Sequence, residues 1–265
     1  MPVRALHRVL EVLVVPKPCC QSLMTGLRKY TSSMLSAAIH SREALEWGVR
    51  AAREGVREGL GELIRGAVND ALRVTEPCSV ELSAALLLYT AAYSYASERG
   101  LKGEAGLLDA AERVLRVSTV SDALSLYDAI RAGDAGLAEC LEDAGVTRRR
   151  VEYEDMSLED LLKYVTRCSR AAELSFGREF RRLVTVLLRE WGRVADKPLN
   201  CYAVALTLYG GAEARRLAES LLSARSEHEY LDTLRRLGKL CRVKRLDYSS
   251  VAVGAAVAVY AASLV

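Results

Sequence analysis

Side-chain amides are almost missing from this sequence: glutamine occurs once, at Gln21, and asparagine twice, at Asn69 and Asn200. Lysine is scarce too, confined to positions 17, 29, 102, 163, 197, 239 and 244, so arginine carries nearly all the positive charge. Few amides and many charges fit a thermophile, where thermolabile side chains are disfavoured and ion-pair networks help. A GC-rich genome gives the same arginine excess, and composition does not separate the two. The 37 basic groups are met by 34 acidic ones, a formal charge of only +3. Acids interleave with bases along the chain. There is no clustered basic face for nucleic acid, which is not an expected partner.

Histidine is also rare. His7, His40 and His228 lie far from any pair of cysteines, and no C-x-x-C occurs. Zinc needs converging deprotonated ligands, and this spacing offers none. The seven cysteines, at 19, 20, 78, 140, 168, 201 and 241, read as dispersed buried thiols. Internal disulfides stay open, because intracellular proteins of hyperthermophiles carry them. Neighbouring Cys19 and Cys20 have only Lys17 nearby to lower a thiol pKa, a thin basis for a redox or metal pair. No P-loop, G-x-G-x-x-G, H-E-x-x-H or G-x-S-x-G is present.

Two apolar stretches bear on location. Met1 to Val15 is interrupted by Arg4, His7, Arg8 and Glu11 at helical spacing, which reads as an amphipathic helix and not a signal peptide. Ser249 to Val265 approaches the shortest length that spans a bilayer. It is built of Ala, Val, Gly and Ser, which reads as a close-packed core helix. A cytoplasmic protein without membrane contact is expected.

What is present is helical signal. About half the residues are apolar, enough for a sizeable core. A long helix is predicted after Ser41, then a break at Gly55, Gly59 and Gly61 before a segment ending near Val74. Thr75-Glu76-Pro77 breaks the chain again, and Ser79 can cap the next helix. From Val80 to Arg99 that helix is apolar on almost every face, so it belongs at the centre of the molecule; Gly100 stops it. Further helices are expected near 104–116, 120–132, 134–144, 170–190, 200–209, 211–224, 227–238 and 248–264. Thr147 to Asp155 is the best linker candidate, and Ser157 with Asp160 opens a helix as a capping box. Strand alternation and fixed-period repeats are absent. The expected fold is all-α, one compact multi-helix domain over residues 1–265.

Read in order, several segments resemble the triphosphoribosyl-dephospho-CoA synthase family. Leu10-Glu11-Val12 leading into Pro16-Lys17-Pro18 is similar to that family's opening helix and its lysine–proline–glycine–asparagine loop. Thr119 to Gly136 looks like its helix-turn with an alanine–isoleucine–arginine core, and Ser157 to Phe180 like its next helix pair. Leu231-Asp232 with Leu234-Arg235, then Asp247 and an apolar last helix, is similar to its C-terminal end. The resemblance implies a glycosyl transfer. A ribose hydroxyl of dephospho-CoA attacks C1′ of the ATP ribose, adenine leaves, and the triphosphate stays on the product. Such chemistry needs cations or Mg²⁺ at the triphosphate and a carboxylate at the hydroxyl or the cationic sugar. ATP, Mg²⁺ and a nucleotide or CoA-type small molecule are therefore implied.

The sequence departs from the family where those groups belong. Cys19 and Cys20 replace the glycine and asparagine after Lys17-Pro18. Glu81 and Ser83 are the polar candidates where an asparagine–threonine–glycine loop would fall. A family aspartate falls at Arg170, and a glutamate–tyrosine pair at Ser175 and Phe176. An aspartate–threonine–leucine–isoleucine–arginine loop is missing after Leu208, and Cys241-Arg242-Val243-Lys244 replaces a terminal turn. What survives is Lys17 as a phosphate ligand and Glu81 and Asp247 as site carboxylates, with Arg242, Lys244 and Arg245 as an anion site before the last helix. Each has a plainer reading: an exposed loop lysine, a helix-start glutamate, an N-cap aspartate and a solvated basic run. Two functional expectations follow: a family member with lost or altered catalysis, or a helical scaffold that partners itself or an active paralogue.

Overall fold

The structure, a computed structural model, describes residues 2–15, 17–20, 27–194 and 197–265, with only the backbone of Pro2 and Val3. The protein is all-α. Among the described residues there are sixteen helices and no strand.

Two helices without a polar side organise the packing. α4 (Val80–Glu98) is buried from Val80 through Thr90 and on to Ala96. Ser79 caps it, its hydroxyl accepting from Leu82 N, and the chain turns away at Gly100, whose φ of 68° suits glycine. α16 (Ser249–Leu264) is made of Ala, Val, Gly and Ser and is buried almost throughout. Gly254 lets it lie directly on Leu174, where a Cβ would collide. Tyr260 of α16 shares a 2.5 Å hydrogen bond with Thr90 of α4, so a polar contact joins the two apolar helices.

The other helices wrap this pair. α1 (Pro2–Val14) lies on α16 and buries Ala5, Val9, Val12 and Leu13. α2 (Leu27–Glu54) runs along α4, with Gly48 at the crossing because any side chain would overlap Ala91. α3 (Leu60–Leu72), α5 (Gly103–Val117), α6 (Val120–Gly133), α7 (Ala135–Asp143) and α8 (Arg148–Tyr153) follow. Then come α9 (Leu158–Cys168), α10 (Arg170–Phe176), α11 (Arg178–Arg189), α12 (Trp191–Val194), α13 (Pro198–Tyr209), α14 (Ala212–Ser223) and α15 (Glu227–Lys244). One hydrophobic core runs from Ala5 to Leu264.

Asp122 ties α6 to α3. Its side chain is buried, with Oδ1 accepting from Gly59 N at 2.9 Å and Gly61 N at 2.7 Å, and Oδ2 from Thr119 N. The carboxylate fills the vacant donors at the start of α3. Gly61 is required there because a Cβ would overlap the Asp122 backbone.

Four expectations need correction. α2 begins at Leu27, not after Ser41. Ser41 sits inside the helix and satisfies its hydroxyl on Ala38 O at 2.7 Å, a back-bond that makes a mid-helix serine look like a cap. The stretch 147–155 is not a linker: Thr147 caps α8, which is polar because it buries only Val151. The expected helix 170–190 breaks at Gly177, where the Glu173 carboxylate occupies the space of a side chain and accepts from Glu179 N. α15 continues past 238, because Gly238 meets nothing and is tolerated within the helix.

Candidate functional site

Lys17 follows α1 and is buried, with 5 % of its surface exposed. This overturns the reading of an exposed loop lysine. Its ammonium carries three donors, and its one hydrogen bond among the described residues goes to Val15 O at 2.7 Å. Burial pulls its pKa from 10.5 down to about 8, opposed by the nearby Cys20.

The loop that carries it is clamped from three sides. Cys19 is disulfide-bonded to Cys241 in the last turn of α15, with Cα atoms 5.2 Å apart. The backbone N–H of Tyr248 donates to Cys19 O at 2.5 Å. From α13, the Tyr202 hydroxyl donates to Pro18 O at 2.9 Å and accepts from the Cys20 thiol at 3.3 Å. Burial pushes the Cys20 thiol up to about 11 and Tyr202 far above its usual range, so both stay protonated donors.

Tyr30, at the start of α2, links the loop to the acids. Burial raises its hydroxyl to about 12, with the charges of Glu81, Asp247 and Asp134 and the Cys20 thiol adding to the shift. Cys20 in turn feels both Lys17 and Asp247. Residues from the first loop, the start of α4 and the start of α16 thus lie within electrostatic reach of one tyrosine. Lys29, beside it, is ion-paired to Asp134 at 3.4 Å.

Glu81 is buried in the first turn of α4. Ser169 Oγ donates to its Oε1 at 2.8 Å and Ser79 Oγ to its Oε2 at 3.4 Å. Ser83, the other candidate in that turn, is fully buried and donates to Ser33 O. Asp247 is exposed and precedes α16, its Oδ1 accepting from Ser249 N at 2.9 Å and Ser249 Oγ at 2.6 Å. Lys244 is on the surface against Glu213 at 2.7 Å, and Arg242 is exposed beside it in the last turn of α15, where cations suit the helix C-terminus. Arg245 ends that helix in a left-handed conformation. These three stand at the end of α15, with Arg242 next to the Cys241 that is bonded to Cys19. Arg170 stands 5.3 Å from the centre of the Tyr209 ring, a cation–π contact.

Magnesium, implied by the resemblance, finds no cage here. Among the described residues no three of His, Cys, Asp or Glu converge, and the oxygens of Glu81 are already met by hydroxyls. The residues do not fit a metal site built by the protein alone. A cleft of about 750 Å³ lies one to two turns further along α4, walled by Leu88, Tyr89 and Phe180 and rimmed by Arg116 and Arg178; it does not include Lys17, Glu81 or Asp247.

The tyrosines were missed from sequence. A signal existed: twelve tyrosines stand against two phenylalanines, an aromatic inventory chosen for its hydroxyls.

The class of protein this defines is a helical bundle that buries a lysine where its first loop meets its thirteenth and last helices. The chain belongs to the CitG family, ATP:dephospho-CoA triphosphoribosyl transferase, whose family model matches residues 5–209. Lys17 and Glu81 lie within the matched segment; Asp247, Arg242 and Lys244 lie beyond it. A crystal structure from Archaeoglobus fulgidus, assigned as a triphosphoribosyl-dephospho-CoA synthase, is similar with a TM-score of 0.51 and 17% identity, over 86% of this chain and 96% of that one. No curated protein matches. Among the described residues, no helix is long and apolar enough to cross a membrane.

Proposed function

We propose that this single-domain chain binds a nucleotide or CoA-type polyanion at Lys17, with the family's adenine-displacing transfer lost or altered. The observation that carries the reading is the buried Lys17 ammonium, with one hydrogen-bond partner among the described residues. A buried cation is costly unless something neutralises it, and a phosphate oxygen would accept its remaining donors. Tyr30 stays protonated, a donor within electrostatic reach of Cys20, Glu81 and Asp247.

Altered catalysis is favoured by the acids. A carboxylate that activates a hydroxyl must be free to accept its proton. Glu81 instead accepts from two serine hydroxyls. Arg170 adds positive charge where the family carries an aspartate. The second reading, a non-catalytic scaffold or regulatory partner of an active paralogue, draws on the short turn at Gly210 and Gly211, where α13 passes almost directly into α14.

Folded protein is incubated with ATP, dephospho-CoA and Mg²⁺, and adenine is followed by chromatography while ATP is titrated in thermal unfolding. The expected result is a Tm that rises with ATP concentration, abolished in Lys17→Met, with adenine at background. Sustained adenine release would restore the full family reaction. No shift with ATP, dephospho-CoA or tripolyphosphate would leave the scaffold.

A further inference from the structure

We propose that the Cys19–Cys241 disulfide is a redox latch that holds Lys17 in its ligand-binding position. The proposal rests on the reading of Lys17 as the ligand-binding cation. Three features of Cys19 support it.

First, Cys19 has a φ of 65°, a left-handed conformation that a residue with a Cβ leaves readily unless something holds it. Second, what holds it is the bond to Cys241, 222 residues away in sequence. Third, the carbonyl of the same residue accepts from Tyr248 N, the residue after Asp247. The disulfide and this hydrogen bond fasten one residue of the loop to both sides of the α15–α16 turn. Lys17 is two residues upstream. With the latch closed, Cys20 sits within electrostatic reach of both Lys17 and Asp247. With it open, Cys19 is free to return to an ordinary conformation and carry Lys17 with it.

The neighbouring thiol does not short-circuit the device. Cys20 is buried and donates its proton to Tyr202, and an exchange reaction needs the thiolate. Opening therefore requires an outside reductant of the dithiol class. One thiolate of the dithiol attacks a sulfur of the pair, forming a mixed disulfide and releasing the other cysteine as its thiol. The second thiol of the reductant then displaces the first cysteine. Two electrons and two protons have passed to the protein, and the dithiol has become a disulfide. The second bond, Cys140–Cys168, joins α7 to the end of α9 and serves as an internal control.

The test begins with alkylation and mass measurement of the whole chain, which should find three free thiols, Cys20, Cys78 and Cys201. Lys17 acylation and ATP affinity are then compared before and after dithiothreitol, with reduction verified by mass. Reduction should raise Lys17 acylation and weaken ATP binding, each on the order of tenfold, as expected when a strained loop loses its constraint. Cys241→Ser should show the same change without reductant. The double variant Cys19→Gly with Cys241→Ser should bind as the oxidised protein does and ignore dithiothreitol, because glycine adopts this φ freely; Cys19→Ser with Cys241→Ser should not recover. Cys140→Ser with Cys168→Ser should keep both the affinity and the response. Seven free thiols in oxidised protein would overturn the latch. So would unchanged Lys17 reactivity and affinity after verified reduction, or a glycine variant no better than the serine one. If oxidised protein binds no ATP while Lys17 acylation still follows the redox state, the latch stands and the assignment of the ligand falls.

Discussion

Ser169 Oγ lies 2.8 Å from Glu81 Oε1 and donates to it, while the same hydroxyl accepts from Ala172 N at 3.2 Å. One side chain thus caps α10 and satisfies a buried carboxylate at the start of α4, 88 residues away. Two helix starts are coupled through it, by way of the carboxylate that the family resemblance marks for chemistry.

Replacing that hydroxyl should cost more than a simple cap. Ser169→Ala removes the N-cap acceptor and leaves Glu81 short of a donor, together about 2–3 kcal/mol. Urea unfolding should show a lower midpoint with an unchanged slope.

Lys17 sets a pH dependence. Its pKa is near 8 in the folded protein and 10.5 in the unfolded chain. Below pH 8 both states are charged and folding carries the full cost of burying the ammonium. Between pH 8 and 10.5 the unfolded chain holds more protons, so stability rises with pH; above 10.5 both are neutral and the cost is gone. Lys17→Met should therefore be more stable than the parent by about 3 kcal/mol below pH 8, with the gap closing towards pH 10.5. Paired denaturant titrations at pH 7 and 10.5 measure this.

Polyanion binding should draw the missing proton back onto Lys17. At pH 8.5, calorimetry of ATP binding in two buffers of different ionisation enthalpy should report proton uptake. The uptake should vanish in Lys17→Met.

Asp122 holds α3 and α6 together through acceptor oxygens alone. Asp122→Asn turns one of them into a donor facing other donors, at a cost of about 2–4 kcal/mol. Amide hydrogen exchange should show Gly59 and Gly61 losing protection well before α4 does.

The second disulfide closes a 28-residue separation. Its removal by Cys140→Ser with Cys168→Ser should lower stability by about 3–4 kcal/mol in the chain-entropy account. Thermal unfolding under non-reducing conditions would register it as a drop in Tm.

How much of this was legible depends on whether the signal was local. α4 and α16 were readable because helices apolar on every face have no other place to go, and Ser79 and Gly100 mark the ends of α4 as expected. The starts of α2 and α8 were hidden because a hydroxyl looks the same whether it caps a helix or bonds back within one. The break at Gly177 depends on the Glu173 carboxylate folding over it, which no spacing announces. In the site, Lys17, Glu81 and Asp247 were named from resemblance, but the burial of Lys17 is tertiary. Tyr30 feels Glu81, Asp134 and Asp247, and Tyr202 bonds Pro18 and Cys20, all more than fifty residues away in sequence. The pairing of Cys19 with Cys241 had to wait for coordinates, since spacing does not fix connectivity.

The packing of α16 on α1 carries a cost in time. The apolar face of α1 leaves the ribosome roughly 10–50 s before residue 249 is added, at ordinary elongation speeds. Throughout that interval Val9, Val12 and Leu13 lack the surface that finally covers them, and a contact so distant in sequence closes slowly once it can. Chaperone capture of the nascent chain is the expected consequence, strongest while the translated length falls short of α16.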